Sequence, residues 1–101
     1  MPVSYTCQNR AMTALLSGEI DHHGARDIMG ELTRAIRQEL PVRLTLDLSG
    51  VTFMDSSGIA VLIRAKREMD ALGGAMKAEA IPVQPRRVLD AAGLGQIIPL
   101  E

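Results

Sequence analysis

The chain has 101 residues, of which 47% are hydrophobic and 23% charged, a balance typical of one globular domain and not of a disordered tail. Eleven basic and twelve acidic side chains are spread evenly over both halves, which disfavours a general polyanion-binding protein. Tyr5 and Phe53 are the only aromatic residues, and this argues against a platform that stacks nucleic-acid bases. The lone Cys7 suits a reducing compartment, and no secretory signal or membrane-length apolar run is visible. These features predict a cytoplasmic domain.

The first half of the chain predicts a hairpin, a helix and a buried strand. Short runs at 3–8 and 11–18 flank Asn9-Arg10 and indicate two paired strands. Apolar residues then recur at helical spacing over 24–40, with Asp21 placed to cap the start and Pro41 to end the helix. Val, Leu and Thr alternate over 42–48, which indicates a buried strand.

The second half continues the alternation of helices and strands. A helix is predicted over 56–72, ended by Gly73-Gly74, followed by a strand at 75–81, a short helix at 84–92 and a last strand at 96–100. The resulting order is β-β-α-β-α-β-α-β. It predicts an α/β fold in which helices pack on a mixed sheet, as a single domain over 1–101.

The most informative segment is the junction between the central strand and the second long helix. In an open α/β sheet, binding sites form where strands lead into helices, beside the unpaired N–H groups of the helix N-terminus. Asp55 or Ser56 could be an ordinary N-cap there. However, Asp55, Ser56 and Ser57 provide three capping-type residues where one suffices, and no charged side chain occurs from 56 to 63. Such a surface can be approached closely by another protein, with a hydroxyl accessible to a kinase.

Three motifs resemble one known family. FMDSSGI at 53–59 resembles the phosphorylation motif of the anti-sigma factor antagonists, members of the STAS domain family. SGEIDHH at 17–23 resembles the family's other characteristic stretch, and PRRVLDAAGL at 85–94 resembles its short helix and following turn. The similarity extends over most of the chain and is strongest with the sporulation type, so the STAS fold is expected.

The resemblance implies a function in partner switching. In that family the unmodified antagonist binds an anti-sigma factor that is also a serine kinase, and so releases the sigma factor. Phosphorylation of the first serine, here Ser56, ends binding, and a serine phosphatase resets the switch. The implied partner-binding residues are Asp21, His22, Met54, Asp55, Ser57, Gly58 and Ile59. The domain would be a kinase substrate and not an enzyme, with no cofactor, no metal site, no nucleic-acid contact and no membrane span.

Other readings of the sequence stay open. The domain could be a STAS scaffold or co-antagonist subunit of a stress-signalling assembly. A hydrolase that uses Ser56 as nucleophile lacks the G-x-S-x-G elbow. Sporulation-type relatives usually continue into a further helix, whereas this chain stops at Glu101, and exposed apolar surface there would allow a monomer or weak dimer.

Overall fold

The computed structural model describes residues 2–101 and contains four strands, three α-helices and one 3-10 turn. The strands are β1 (Val3–Gln8), β2 (Ala11–Ile20), β3 (Arg43–Met54) and β4 (Ala75–Glu79). The helices are α1 (His22–Glu39), α2 (Ser56–Ala71) and α3 (Val83–Ala91), followed by the 3-10 turn Leu94–Gln96. Within residues 2–101, none of the helices combines the length and apolar character that a membrane crossing requires.

The four strands form one mixed sheet in the order β1-β2-β3-β4. β1 is antiparallel to β2, whereas β2, β3 and β4 are parallel to one another. The β1–β2 turn is made by Asn9 and Arg10, both with positive φ (53° and 62°), the conformation that matches the twist of a two-residue hairpin. The predicted α/β fold with a mixed sheet is therefore confirmed.

The core lies on one face of the sheet, beneath α1 and α2. Leu44, Leu46 and Leu48 of β3 are buried there, as are the facing side chains of β2. α1 and α2 pack beside each other over this face because each connects two parallel strands. Alternate residues such as Thr13 and Thr45 point away from the core.

α1 is held at both ends by polar side chains. Asp21 caps its start by accepting a hydrogen bond from the Gly24 N–H at 2.8 Å, as the sequence predicts. At its other end, Leu40 has a left-handed φ of 49°, and its carbonyl accepts bonds from the Arg10 guanidinium at 2.8 and 3.0 Å. The helix therefore stops before Pro41, and the carbonyl of its C-cap residue, Leu40, is tied to the β1–β2 turn.

The central strand is longer than its sequence pattern predicts. β3 continues to Met54, six residues beyond the expected end at Leu48. Ser49 and Gly50 are residues typical of loops, but β2 also extends, to Ile20, and provides a parallel partner for this segment. Register shifts around Ser17 and Gly18 in β2 accommodate the irregular residues without ending the pairing.

The predicted last strand at 96–100 is wrong. Residues 94–96 form a 3-10 turn that follows Gly93, whose φ of 70° is left-handed. Only Leu100 bridges to the sheet, beside Ala78 at the edge of β4. The 3-10 turn includes Gln96, so the rest of the segment is too short for a strand. Pro99 also has no N–H to donate to a neighbouring strand.

A carboxylate links the two helices that cover the core. Glu68 of α2 accepts two hydrogen bonds from the Arg37 guanidinium of α1, at 2.9 and 3.2 Å, and lies 3.6 Å from Arg64. The hydrogen bond from Arg37 is the main cause that holds the pKa of Glu68 below its ordinary value near 4.5. The ionised carboxylate therefore stabilises the folded domain at neutral pH.

We expect Glu68→Gln to lower the free energy of unfolding at pH 7 by a small part of the roughly 5–15 kcal/mol typical of a domain. The change is measured as a lower urea midpoint of unfolding. Because folding lowers the pKa of Glu68, the stabilisation is full above the unfolded pKa and is lost as the pH falls through the folded pKa. The difference from wild type should therefore shrink as the pH is lowered and vanish once Glu68 is protonated in both the folded and the unfolded state.

The matched control is Asp27→Asn, which neutralises an exposed carboxyl group of α1 that forms no ion pair within residues 2–101. Equal midpoints for Glu68→Gln and this control at pH 7 would contradict a stabilising link between the helices.

Candidate functional site

The N-termini of α1 and α2 lie side by side at the edge of the sheet formed by the carboxyl ends of its strands. β2 and β3 are neighbouring parallel strands, and their last residues, Ile20 and Met54, are directly paired. The Asp55 N–H then donates to the Ile20 carbonyl at 3.3 Å. α1 begins at His22 and α2 at Ser56, so a single residue separates each helix from the strand before it. The SGEIDHH and FMDSSGI motifs, more than 30 residues apart in sequence, therefore lie side by side.

Each of these helices begins with an aspartate cap. The Asp55 carboxyl accepts a hydrogen bond from the Ser57 N–H at 2.8 Å, and Asp21 performs the same function in α1. The bond from the Gly24 N–H is the main cause that holds the pKa of Asp21 below its ordinary value. Asp21 is therefore ionised at neutral pH, where the positive end of the α1 dipole also favours negative charge.

The two serines differ in their surroundings. Ser56 is exposed as the first residue of α2, whereas Ser57 is half-buried and its N–H is already bonded to Asp55. Because Asp55 is the cap, the helix does not need the Ser56 hydroxyl for this purpose. Ser56 is thus the serine of the pair that is more accessible to a modifying enzyme.

Met54 and Gly58 lie beneath the start of α2. Met54 is fully buried, and Gly58 is buried against it. A Cβ added at Gly58 would overlap the Met54 side chain, so the glycine allows α2 to approach the end of β3. In the folded domain the Met54 side chain has no exposed surface and packs beneath the start of α2. By contrast, His22 is exposed and Ile59 half-buried.

Gln84 is a residue of this site that the sequence analysis missed. Its side-chain amide accepts a hydrogen bond from the Met54 N–H at 2.8 Å and donates one to the Met54 carbonyl at 2.7 Å. β4 ends at Glu79 and pairs only with the first half of β3, so within residues 2–101 the end of β3 has no strand on that side. The amide of Gln84 makes the two bonds that a neighbouring strand would make, two residues before Ser56.

No local signal distinguishes this glutamine. Gln84 lies in the first turn of α3, where a polar residue is ordinary, and its partner is 30 residues earlier in the chain. The contact exists because α3 packs against β3, which brings Gln84 beside Met54. It links α3 to the end of β3, two residues before Ser56.

We expect Gln84→Ala to destabilise the domain by about 0.5–1.5 kcal/mol, because it removes two hydrogen bonds to the Met54 backbone that water can partly replace at this exposed side chain. Amide hydrogen exchange at Met54 should become faster by about tenfold or more, while the amides of β1 change little. NMR-detected exchange measures both quantities in one experiment.

Gln38→Ala is the control, since Gln38 is an exposed glutamine of α1. Unchanged protection of the Met54 amide in Gln84→Ala would show that the side chain does not hold the end of β3.

Comparisons with known proteins agree with this arrangement. The sequence profile of the STAS domain family matches residues 3–101. An anti-sigma F factor antagonist from Paenibacillus polymyxa is 33% identical over 85 residues, which cover 84% of this chain and 73% of that protein. The solved structure of the anti-sigma factor antagonist SpoIIAA in its unphosphorylated form has a TM-score of 0.80 and 26% identity, covering 98% of this chain and 87% of that one.

The phosphorylated form of the Bacillus cell fate determinant SpoIIAA is also similar, with a TM-score of 0.72 and 25% identity over 98% of this chain and 90% of that one. The profile match over almost the whole length, together with the identity to the Paenibacillus protein, shows that this chain belongs to the STAS domain family and is a homologue of anti-sigma factor antagonists.

Proposed function

We propose that this protein is an anti-sigma factor antagonist that is switched by phosphorylation of Ser56. The unphosphorylated form binds an anti-sigma factor with serine kinase activity in the cytoplasm, and this binding releases a sigma factor. The observation that carries the proposal is the position of Ser56. It is an exposed hydroxyl on the first residue of α2, at the edge where two capped helices begin, in a chain homologous to such antagonists.

The proposed docking surface combines residues from both helix starts. Asp21 and His22 contribute from α1, and Asp55, Ser57 and Ile59 contribute from α2. Met54 and Gly58 act from below, because they set the distance between α2 and the end of β3. The surface is thus stiff before a partner arrives, which lowers the entropy that binding must overcome.

Phosphorylation would change the charge of this surface more than its shape. A phosphate adds about −1.5 to −2 charges at neutral pH, next to the Asp55 and Asp21 carboxyl groups. The α2 N-terminus offsets this repulsion by only about 0.3–1 kcal/mol on an exposed site. We therefore expect the phosphate to end binding by repulsion and bulk, with little refolding. Both the unphosphorylated and the phosphorylated SpoIIAA structures share the fold of this chain, with TM-scores of 0.80 and 0.72.

In this scheme the domain is a substrate and a binding module and does not act as a catalyst. The chemistry is supplied by its partners, a kinase that uses ATP and a serine phosphatase that removes the phosphate. Ser56 therefore needs accessibility and not activation, in agreement with its exposed position.

We expect Ser56→Ala to bind the anti-sigma factor of the same organism within about twofold of wild type and to resist inactivation by ATP, while Ser56→Asp binds at least about tenfold more weakly. Titration calorimetry measures the affinities. Mass spectrometry after incubation with that anti-sigma factor and ATP locates the phosphate, which we expect on Ser56.

Ser49→Ala, at an exposed serine of β3 outside the docking surface, is the matched control and should be phosphorylated like wild type. Phosphate on Ser57, or equal affinities of Ser56→Ala and Ser56→Asp, would overturn the switch. Assembly of the domain into large particles, without binding to the anti-sigma factor, would favour the scaffold function instead.

A further inference from the structure

An open groove of about 700 Å³ runs along the outer surface between α1 and α2. It starts at His22 and Ser57, two of the residues in the proposed docking surface, and continues away from the sheet edge. Small residues line it on both helices, Ala25 on α1 and Ala60 on α2, and leave room between the helices. The groove is therefore continuous with the surface around Ser56.

The lining of this groove is strongly basic in a protein whose net charge is −1. Four arginines line it, and no aspartate or glutamate within residues 2–101 does so. Arg37 and Arg64 share the carboxylate of Glu68. Arg26 and Arg34 form no ion pair with any residue that the structure describes. The groove thus presents two unpaired guanidinium groups from one helix.

Gly30 indicates that the groove is kept open. It lies in the interior of α1, where glycine costs about 1 kcal/mol relative to alanine. No packing requires it, because a Cβ added there would meet nothing within 4 Å apart from the helix's own backbone in the described chain. The missing side chain makes the groove deeper, and it relieves no steric clash in the fold.

From these features we propose that the groove docks an acidic segment of the anti-sigma factor. Carboxylates of that segment pair with Arg26 and Arg34, and an apolar side chain packs on Met29 between them. This inference rests on the proposed function and adds a second contact beside the serine. Arg26 would then provide attraction at a position that phosphorylation does not change.

The charges favour a protein partner over a nucleic acid. A nucleic acid requires an extended positive field, whereas the chain as a whole is slightly acidic and Glu68 lies at one end of the groove. No Phe, Tyr or Trp side chain among residues 2–101 lines the groove, and the one ring there, His22, lies at its start and not along it. An acidic segment needs only a few close charges and an apolar contact, both of which the groove supplies.

The test compares two groove variants with a matched control. Arg26→Glu reverses a charge in the groove, and Gly30→Leu fills the groove with a good helix former. Arg67→Glu makes the same charge change on an exposed residue of α2 that does not line the groove. We expect both groove variants to bind the anti-sigma factor at least about tenfold more weakly. The control should stay within about twofold of wild type, and thermal midpoints should be unchanged or, for Gly30→Leu, higher.

The possible outcomes separate this inference from the proposed function. Normal binding by both groove variants would overturn the groove contact and leave the Ser56 switch standing. Failure of wild type to bind the anti-sigma factor would overturn the proposed function and this inference together. Equal weakening by Arg67→Glu would show a general charge effect and overturn a specific groove. Tighter binding of wild type to a duplex DNA, lost in Arg26→Glu, would assign the groove to nucleic acid instead.

Discussion

The parallel pairing of β2 and β3 is the constraint on which the rest of the structure depends. Parallel neighbours end at the same edge of a sheet, and here they end in register, with Ile20 beside Met54. Each strand turns into a helix after one capping aspartate, so two helix N-termini open next to each other. A shift of this register would separate the two motifs and bury or expose the wrong face of the strands. The surface around Ser56 exists because both strands end at the same level of the sheet.

Side-chain packing and hydrogen bonds hold the ends of β2 and β3 in place. This arrangement suits a surface that is changed by covalent modification and not by refolding. The buried Met54 side chain fills the space left by Gly58, and the amide of Gln84 completes the backbone pairing of Met54. A phosphate on the exposed Ser56 would therefore lie above residues that are already packed and hydrogen-bonded. We expect its bulk and charge to act on the partner.

The arginine groove illustrates how a nearly neutral composition conceals local charge. The basic residues of α1 occur at intervals that look like an ordinary solvated helix face, and the totals of each half of the chain are balanced. Packing against α2 turns one side of that face into the wall of a groove, with Arg26 unpaired and Gly30 open. The affinity and the phosphorylation switch would then depend on neighbouring but different parts of one continuous surface.

Local features of the sequence determined the order of most elements, the Asp21 cap, a cap at either Asp55 or Ser56, and the exposure of Ser56, because periodicity and capping act within a few residues. The end of β3 and the segment at 96–100 were predicted incorrectly, since strand pairing depends on distant partners that composition does not encode. The contact of Gln84 with Met54 spans 30 residues, and the groove joins two helices. Only the tertiary structure decided these features, because each requires the packing of segments that are far apart in the chain.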